Sequence, residues 1–303
     1  MNKIVAFVLL STALFISCKS TQNTSKSNSA LPAFDTEAHR GGRGLWPENT
    51  IPAMRNTLVL SITTLEMDAH ITQDKKVVLA HDDYINHLFT LTPDGKEISK
   101  EDAKKYALYQ MPYDQVRQFD TGSKFYSNFP QQQKLKTHIP LLADVIDTVQ
   151  AYLQANNQPQ VFYNIETKSK PAGDNKLHPG PENFVKLLMG VIEEKKITPW
   201  VIIQSFDPRT LQVIHQKYPQ VRTSLLVENK NNFEENIQRL GFTPVVYSPN
   251  FKLVTAELVQ KCHDKNIKII PWTVNTAEEI ARLKVLGVDG IISDYPNLLV
   301  EPK

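Results

Sequence analysis

Cysteine is nearly absent: the 303 residues contain two, Cys18 and Cys262. That excludes a disulfide-built scaffold, and a chain of this length buries enough apolar surface without one. An excess of either charge is also missing. Lysine and arginine number 34, aspartate and glutamate 32, for a net charge of +2. Nothing therefore marks a basic face of the kind that binds nucleic acid. No internal repeat and no second region with its own hydrophobic pattern stand out. The longest apolar run, residues 4–16, is broken by Ser11 and Thr12 and is too short to persist as a membrane span.

That run follows Lys3 and ends at Ser17-Cys18, the pattern of an export signal. Phe15-Ile16-Ser17-Cys18 resembles the lipobox of bacterial lipoproteins, in which the cysteine is lipidated. The sequence predicts a signal over residues 1–18, a lipid anchor at Cys18, and a flexible polar tether over 19–33. It predicts a folded domain over 34–303 in an exported protein, periplasmic or cell-surface and membrane-anchored. Cys262 reads as a small packing residue on a helix.

From residue 34 onward, strand-like and helix-like segments alternate. Strands are expected at 37–41, 64–71, 161–166, 200–204, 222–227, 244–247, 268–273 and 287–293. Helices are expected at 50–60, 141–156, 181–194, 208–217, 231–240, 254–265 and 276–286. Eight such strands with helical crossovers predict an α/β fold, a (β/α)8 TIM barrel. One segment, 83–139, breaks the rhythm and is read as an insertion after the second strand.

Four clusters carry chemistry. His39-Arg40-Gly41 closes the first strand and Pro47-Glu48-Asn49-Thr50 opens a helix. The free N–H groups there suit a phosphate, and a plain helix cap at Asn49 or Thr50 is the simpler alternative. Glu66, Asp68 and His70 share one face of a strand. Two carboxylates on an inner face need a cation, and a hard ion such as Mg2+ or Ca2+ prefers oxygen ligands; a solvated edge strand with this face outward is the alternative. An apolar run, 77–80, delivers His81-Asp82, and Asn164, Glu166 and Lys168 share the face of another strand end.

Together these clusters resemble the glycerophosphodiester phosphodiesterase family. Its HRG…PENT, E-x-D, HD and N-[IL]-E-x-K signatures match His39-Arg40-Gly41…Pro47-Glu48-Asn49-Thr50, Glu66-Met67-Asp68, His81-Asp82 and Asn164-Ile165-Glu166-Thr167-Lys168. Segments at Gln204-Ser205-Phe206, 272–275 and 287–296 agree as well. Asp74-Lys75 lacks the glycine usual after E-x-D, and Ser293 replaces a common threonine. The resemblance implies one divalent cation, Ca2+ or Mg2+, held by Glu66, Asp68 and Glu166. It implies His39 and His81 as the acid–base pair. Arg40 and Lys168 would offset phosphate charge. Trp272, at a strand end with Phe206 and Asn275, is read as lining the substrate pocket or as core packing. The expected reaction is hydrolysis of a small glycerophosphodiester to glycerol 3-phosphate and an alcohol. The rivals are lysophospholipase D-type hydrolysis, with Phe119, Phe125 and Tyr126 controlling acyl entry, and a non-catalytic ligand-binding lipoprotein. His70 is expected to be structural. His87, His138, His178, His215 and His263 are expected at the surface.

Overall fold

Nine strands form a single sheet in the computed structural model, which describes residues 29–300. They are β1 (Asp35–Ala38), β2 (Thr64–Ile71), β3 (Val77–Leu79), β4 (Phe162–Thr167), β5 (Val201–Ser205), β6 (Arg222–Val227), β7 (Val246–Pro249), β8 (Lys268–Ile269) and β9 (Gly290–Ser293). All but β3 pair in parallel, in the order β8-β7-β6-β5-β4-β2-β1-β9. Backbone bonds complete the ring: Asp289 N–H donates to Ile269 O and Ile292 N–H to Pro271 O. The result is the expected eight-stranded parallel barrel.

The helices are α1 (Ile51–Thr57), α2 (Lys100–Ala103), α3 (Tyr113–Val116), α4 (Leu142–Ala155), α5 (Pro181–Glu194), α6 (Pro208–Lys217), α7 (Phe233–Leu240), α8 (Ala256–Asp264) and α9 (Ala277–Leu286). Most wrap the barrel with one apolar stripe inward. In α5, Phe184, Val185, Leu188, Met189 and Ile192 recur at three- and four-residue steps and are all buried. Each such side chain contributes about 1.5–3 kcal/mol. Alternation along the strands sorts the rest. Leu65, Met67, Ala69 and Ile71 of β2 join this outer core. Thr64, Glu66, Asp68 and His70, on the other face, are buried too. A polar barrel interior is therefore set by strand parity.

Several expectations change. The export signal, the Cys18 anchor and residues 19–28 of the tether lie outside the described residues. The tether's last residues are docked rather than free. Leu31 packs with Val246, Ile270 and Ile292, and Arg222 donates to Ser29 O. Apolar burial thus begins ahead of residue 34. The insertion has a small core of its own, in which Ile85, Ile98, Leu108, Val116 and Phe119 pack with Val78. His178 is buried rather than exposed. Its Nε2 accepts from Lys170 N–H at 3.1 Å and its Nδ1 faces Pro179 O at 2.9 Å. A ring satisfied on both nitrogens is compatible with the interior. His215 stacks on Phe242.

Candidate active site

The first strand stops at Ala38, earlier than expected, and His39–Gly41 form a 3-10 turn. Arg40, Gly41 and Gly42 have φ of 50°, 75° and 85°. No strand continues through such backbone. A Cβ on Gly41 would meet Met54 Sδ at 2.9 Å, so only glycine fits there. The turn points Arg40 N–H at Glu66, with 2.7 Å to Oε2. It also throws the Arg40 guanidinium inward, where Nη1 donates to Glu48 at 2.8 Å and Nε lies 3.2 Å from Asp68 Oδ2.

The Pro47-Glu48-Asn49-Thr50 segment serves the carboxylates, and its helix start is capped as the simpler reading expects. Thr50 caps α1, accepting from Ala53 N–H. Asn49, at φ 56°, turns back to clamp Asp68. Its Nδ2 donates to Oδ2 at 2.8 Å, and its Oδ1 accepts from Asp68 N–H at 3.1 Å.

Glu66, Asp68 and Glu166 converge from β2 and β4, and Asp68 and Glu166 are register partners. One oxygen from each lies within 4.8 Å of the others, and all three residues are buried. At that separation two full charges repel by about 3–4 kcal/mol at an effective dielectric constant of 20. Burial, then the neighbouring carboxylates, pushes Glu66 well above its ordinary pKa. Burial raises Glu166 as well, against the pull of Lys168. Asp68 goes the other way: burial would raise it, but Lys168 and Arg40 outweigh that and hold it well below. Lys168 Nζ sits 2.9 Å from Glu166 and 3.6 Å from Asp68 Oδ1. Asp68 Oδ1 is buried and accepts no hydrogen bond. An all-oxygen donor set with one acceptor left open fits a hard divalent cation, so this triad can hold a metal ion.

The two histidines flank the triad in matching poses. His39 Nδ1 faces Asp294 Oδ1 at 2.5 Å, and its Nε2 is 3.9 Å from Glu66. His81 Nδ1 faces Asp82 Oδ1 at 2.7 Å. A carboxylate at Nδ1 calls for the Nδ1–H tautomer and leaves each Nε2 for the site. Burial lowers His39 to a pKa of about 4, with Arg40 and Arg43 adding to the effect and Asp294 opposing it. Burial would raise Asp294, but His39 and Arg43 hold it far below the usual carboxylate range. Asp294 also accepts from Arg43 Nε and Asn275 Nδ2, both at 2.7 Å. His70 is buried beneath, with Nε2 3.4 Å from His81 O, as expected of a structural residue.

Four polar residues at the site had received no role. Arg43, Asp294 and Gln204 orient the histidine and the carboxylates; Glu48, read only as part of a helix start, anchors Arg40. Parity could have found two of them. Asp294 follows Gly290 and Ile292 at two-residue steps, and Gln204 follows Ile202. Gln204 donates to Glu66 Oε1 at 2.7 Å and accepts from Asn164, which also donates to Glu37.

Two spaces meet at the triad. A cavity of about 110 Å3 is lined by His39, Arg43, Gln204, Leu226, Trp272 and Ile292, among others. Trp272 is fixed there by Nε1–H donating to Ser248 O at 2.9 Å and by edge contact with Phe206. A groove of about 750 Å3 runs from His81 toward the insertion. His81, Glu166 and Phe206 border both. Phe119 and Tyr126 are buried, and neither they nor Phe125 line these spaces. Phe119 and Tyr126 pack within the insertion instead, and Phe125 is exposed beside Lys134.

Imidazoles beside a carboxylate triad, at the C-terminal strand ends of a (β/α)8 barrel, make up a hydrolase site. Residues 39–298 match the model of the glycerophosphoryl diester phosphodiesterase family. The chain belongs to this family and is a phosphoric diester hydrolase. A glycerophosphodiester phosphodiesterase of Caldanaerobacter subterraneus subsp. tengcongensis is 28% identical over 87% of this chain and 95% of its own. One of Bacillus subtilis is 28% identical across 100% of this chain and 98% of its own. A solved Silicibacter pomeroyi structure assigned to the same family superposes with a TM-score of 0.78 at 27% identity, covering 88% of this chain and 92% of that one.

Proposed function

We propose that the enzyme hydrolyses small glycerophosphodiesters to glycerol 3-phosphate and an alcohol, with His39 as base and His81 as acid. The observation that carries the reading is the pairing of the two spaces across the triad. The small cavity suits a three-carbon glycerol end, and the groove takes the alcohol that leaves. His39 borders only the first; His81 borders both.

Glu66, Asp68 and Glu166 would hold one Mg2+ or Ca2+. Such an ion, when bound, supplies positive charge where the phosphoryl oxygens gain negative charge. Arg40 and Lys168 add fixed positive charge from either side. His39 is neutral at pH 7, so its Nε2 can take the proton of the attacking hydroxyl. In our reading that hydroxyl is the glycerol 2-OH, already ordered beside phosphorus. Its oxygen bonds to phosphorus, and the bond from phosphorus to the leaving alcohol breaks. The alcohol oxygen takes the proton of His81. Water then opens the cyclic phosphate, with the proton transfers reversed. Asp294 and Asp82 keep each imidazole in the working tautomer.

The same proposal places the enzyme outside the cytoplasm, held to a membrane by lipidated Cys18. Its support is the sequence of residues 1–18 alone. Loss of radiolabelled fatty acid from the Cys18→Ala protein would bear it out, and full labelling would end it.

The test of the chemistry is release of glycerol 3-phosphate from glycerophosphocholine, followed by a leaving-group comparison. His39→Ala should be slow with both choline and p-nitrophenol as leaving groups. His81→Ala should recover most of the release of p-nitrophenol, which needs no acid, and should accumulate the cyclic phosphate. Equal recovery by both variants would sink the assignment. An intact cleavage activity on lysophospholipids alone would favour the lysophospholipase D reading.

A further inference from the structure

We infer that the groove bordered by the insertion is a subsite for an anionic group, phosphate or carboxylate, carried by the leaving alcohol. This rests on the proposed function, which sends the alcohol into that groove. Its walls bring four lysines and three carboxylates to one space: Lys100, Lys104, Lys168 and Lys170 against Asp82, Asp83 and Glu166. The pairing among them is uneven. Glu166 is held by Lys168 at 2.9 Å and Asp83 by Lys170 at 2.7 Å. Asp82 is held by His81 at 2.7 Å and by Asn86 at 2.5 Å. Every carboxylate of the groove thus has a donor.

Lys100 and Lys104 remain. They stand four apart, at the start and C-cap of α2, and so share a face. Neither makes an ion pair among the described residues. The carboxylates near them go elsewhere: Asp102 pairs with Lys105 and Glu97 with Lys124. Glu101, the other acid of α2, does not line the groove. Two exposed lysines without carboxylate partners thus line the groove that His81 borders. Ile85 and Ala103 give the carbon stem an apolar floor. A choline or ethanolamine group brings a third positive charge to this place; a phosphate or carboxylate brings the missing partner.

The test uses three substrates of the whole enzyme that share one glycerophosphoryl half. The leaving alcohol is glycerol, glycerol bearing a terminal phosphate, or glycerate. Each kcat/KM is taken as a ratio to the glycerol case within the same enzyme, so the amount of folded protein cancels. The wild type should favour at least one anionic alcohol about five- to tenfold, as expected of two partly exposed ion pairs. The preference should fall to near one in the Lys100→Gln, Lys104→Gln enzyme, and in wild type near 1 M salt, where charges are screened within about 3 Å. Preference for only one anion identifies which of the two the subsite takes. A wild-type ratio of one or less, or a preference unchanged in the double variant, overturns the inference. Hydrolysis of none of the three overturns the functional reading and this inference with it.

Discussion

His39 and His81 are held alike and housed differently. Each presents Nδ1 to an aspartate, at 2.5 Å and 2.7 Å. The His39 side chain is 12% exposed and that of His81 36%. His39 directly follows the barrel wall, where β1 pairs with β2 on one side and β9 on the other. His81 belongs to a strap. It follows β3, a short strand antiparallel to β2, and leads into the insertion with its separate core. Chemistry needs fixed geometry, and selection needs a wall that can differ between relatives. In our proposal the barrel supplies the first, apart from His81 at the edge of the strap, and the insertion supplies the second.

The largest effect expected is on the barrel side. Asp68→Asn removes the charge that faces both Arg40 and Lys168 and should lower kcat by roughly 10³-fold or more, several kcal/mol of charge stabilisation. Next, His39→Ala and His81→Ala should each lose about 10²–10⁴-fold with an ordinary alcohol leaving group. Hydrolysis assays on folded, purified variants measure all three. The supporting aspartates sharpen the contrast. Asp294→Asn should cost about 10–100-fold, because its carboxylate is buried and orients Arg43 and Asn275 as well as His39. Asp82→Asn should cost less, since the Asp82 side chain is 40% exposed. Equal losses would erase the distinction between the two walls.

The last effect is on acid stability and leaves the reaction rate aside. Burial lowers His70 to a pKa of about 4, against about 6.5 in an unfolded chain. The unfolded state therefore takes up this proton first as the pH falls. The contribution of the neutral ring is full above pH 6.5 and is lost progressively down to about pH 4, up to ~3 kcal/mol in all. His70→Gln should flatten the dependence of urea midpoint on pH across that window. An unchanged slope would show that His70 takes no part in it.

Much of this was legible in the residues. Two-residue spacing placed Glu66 with Asp68 and Glu166 with Lys168, because strand parity is local. The helices at 181–194 and 208–217 were bounded by proline at the start and by their apolar period. What the sequence hid was non-local or conformational. The left-handed turn at Arg40 ends β1 early, and no period announces it. Asp294 meets His39 across 255 positions of chain. His178 is buried by a loop whose hydrogen bonds no pattern encodes. The docking of Leu31 against β7 and β9 depends on where the barrel floor lies, which composition does not reveal.

Dependence of catalysis on a cation at the triad is tested by glycerol 3-phosphate release from glycerophosphocholine, with the cation removed and restored. Chelation should abolish release, and Mg2+ or Ca2+ should restore it. One ion should bind per chain by calorimetry in the wild type and none in Asp68→Asn. Undiminished release in chelator, or equal ion binding by both proteins, would contradict a catalytic cation at the triad.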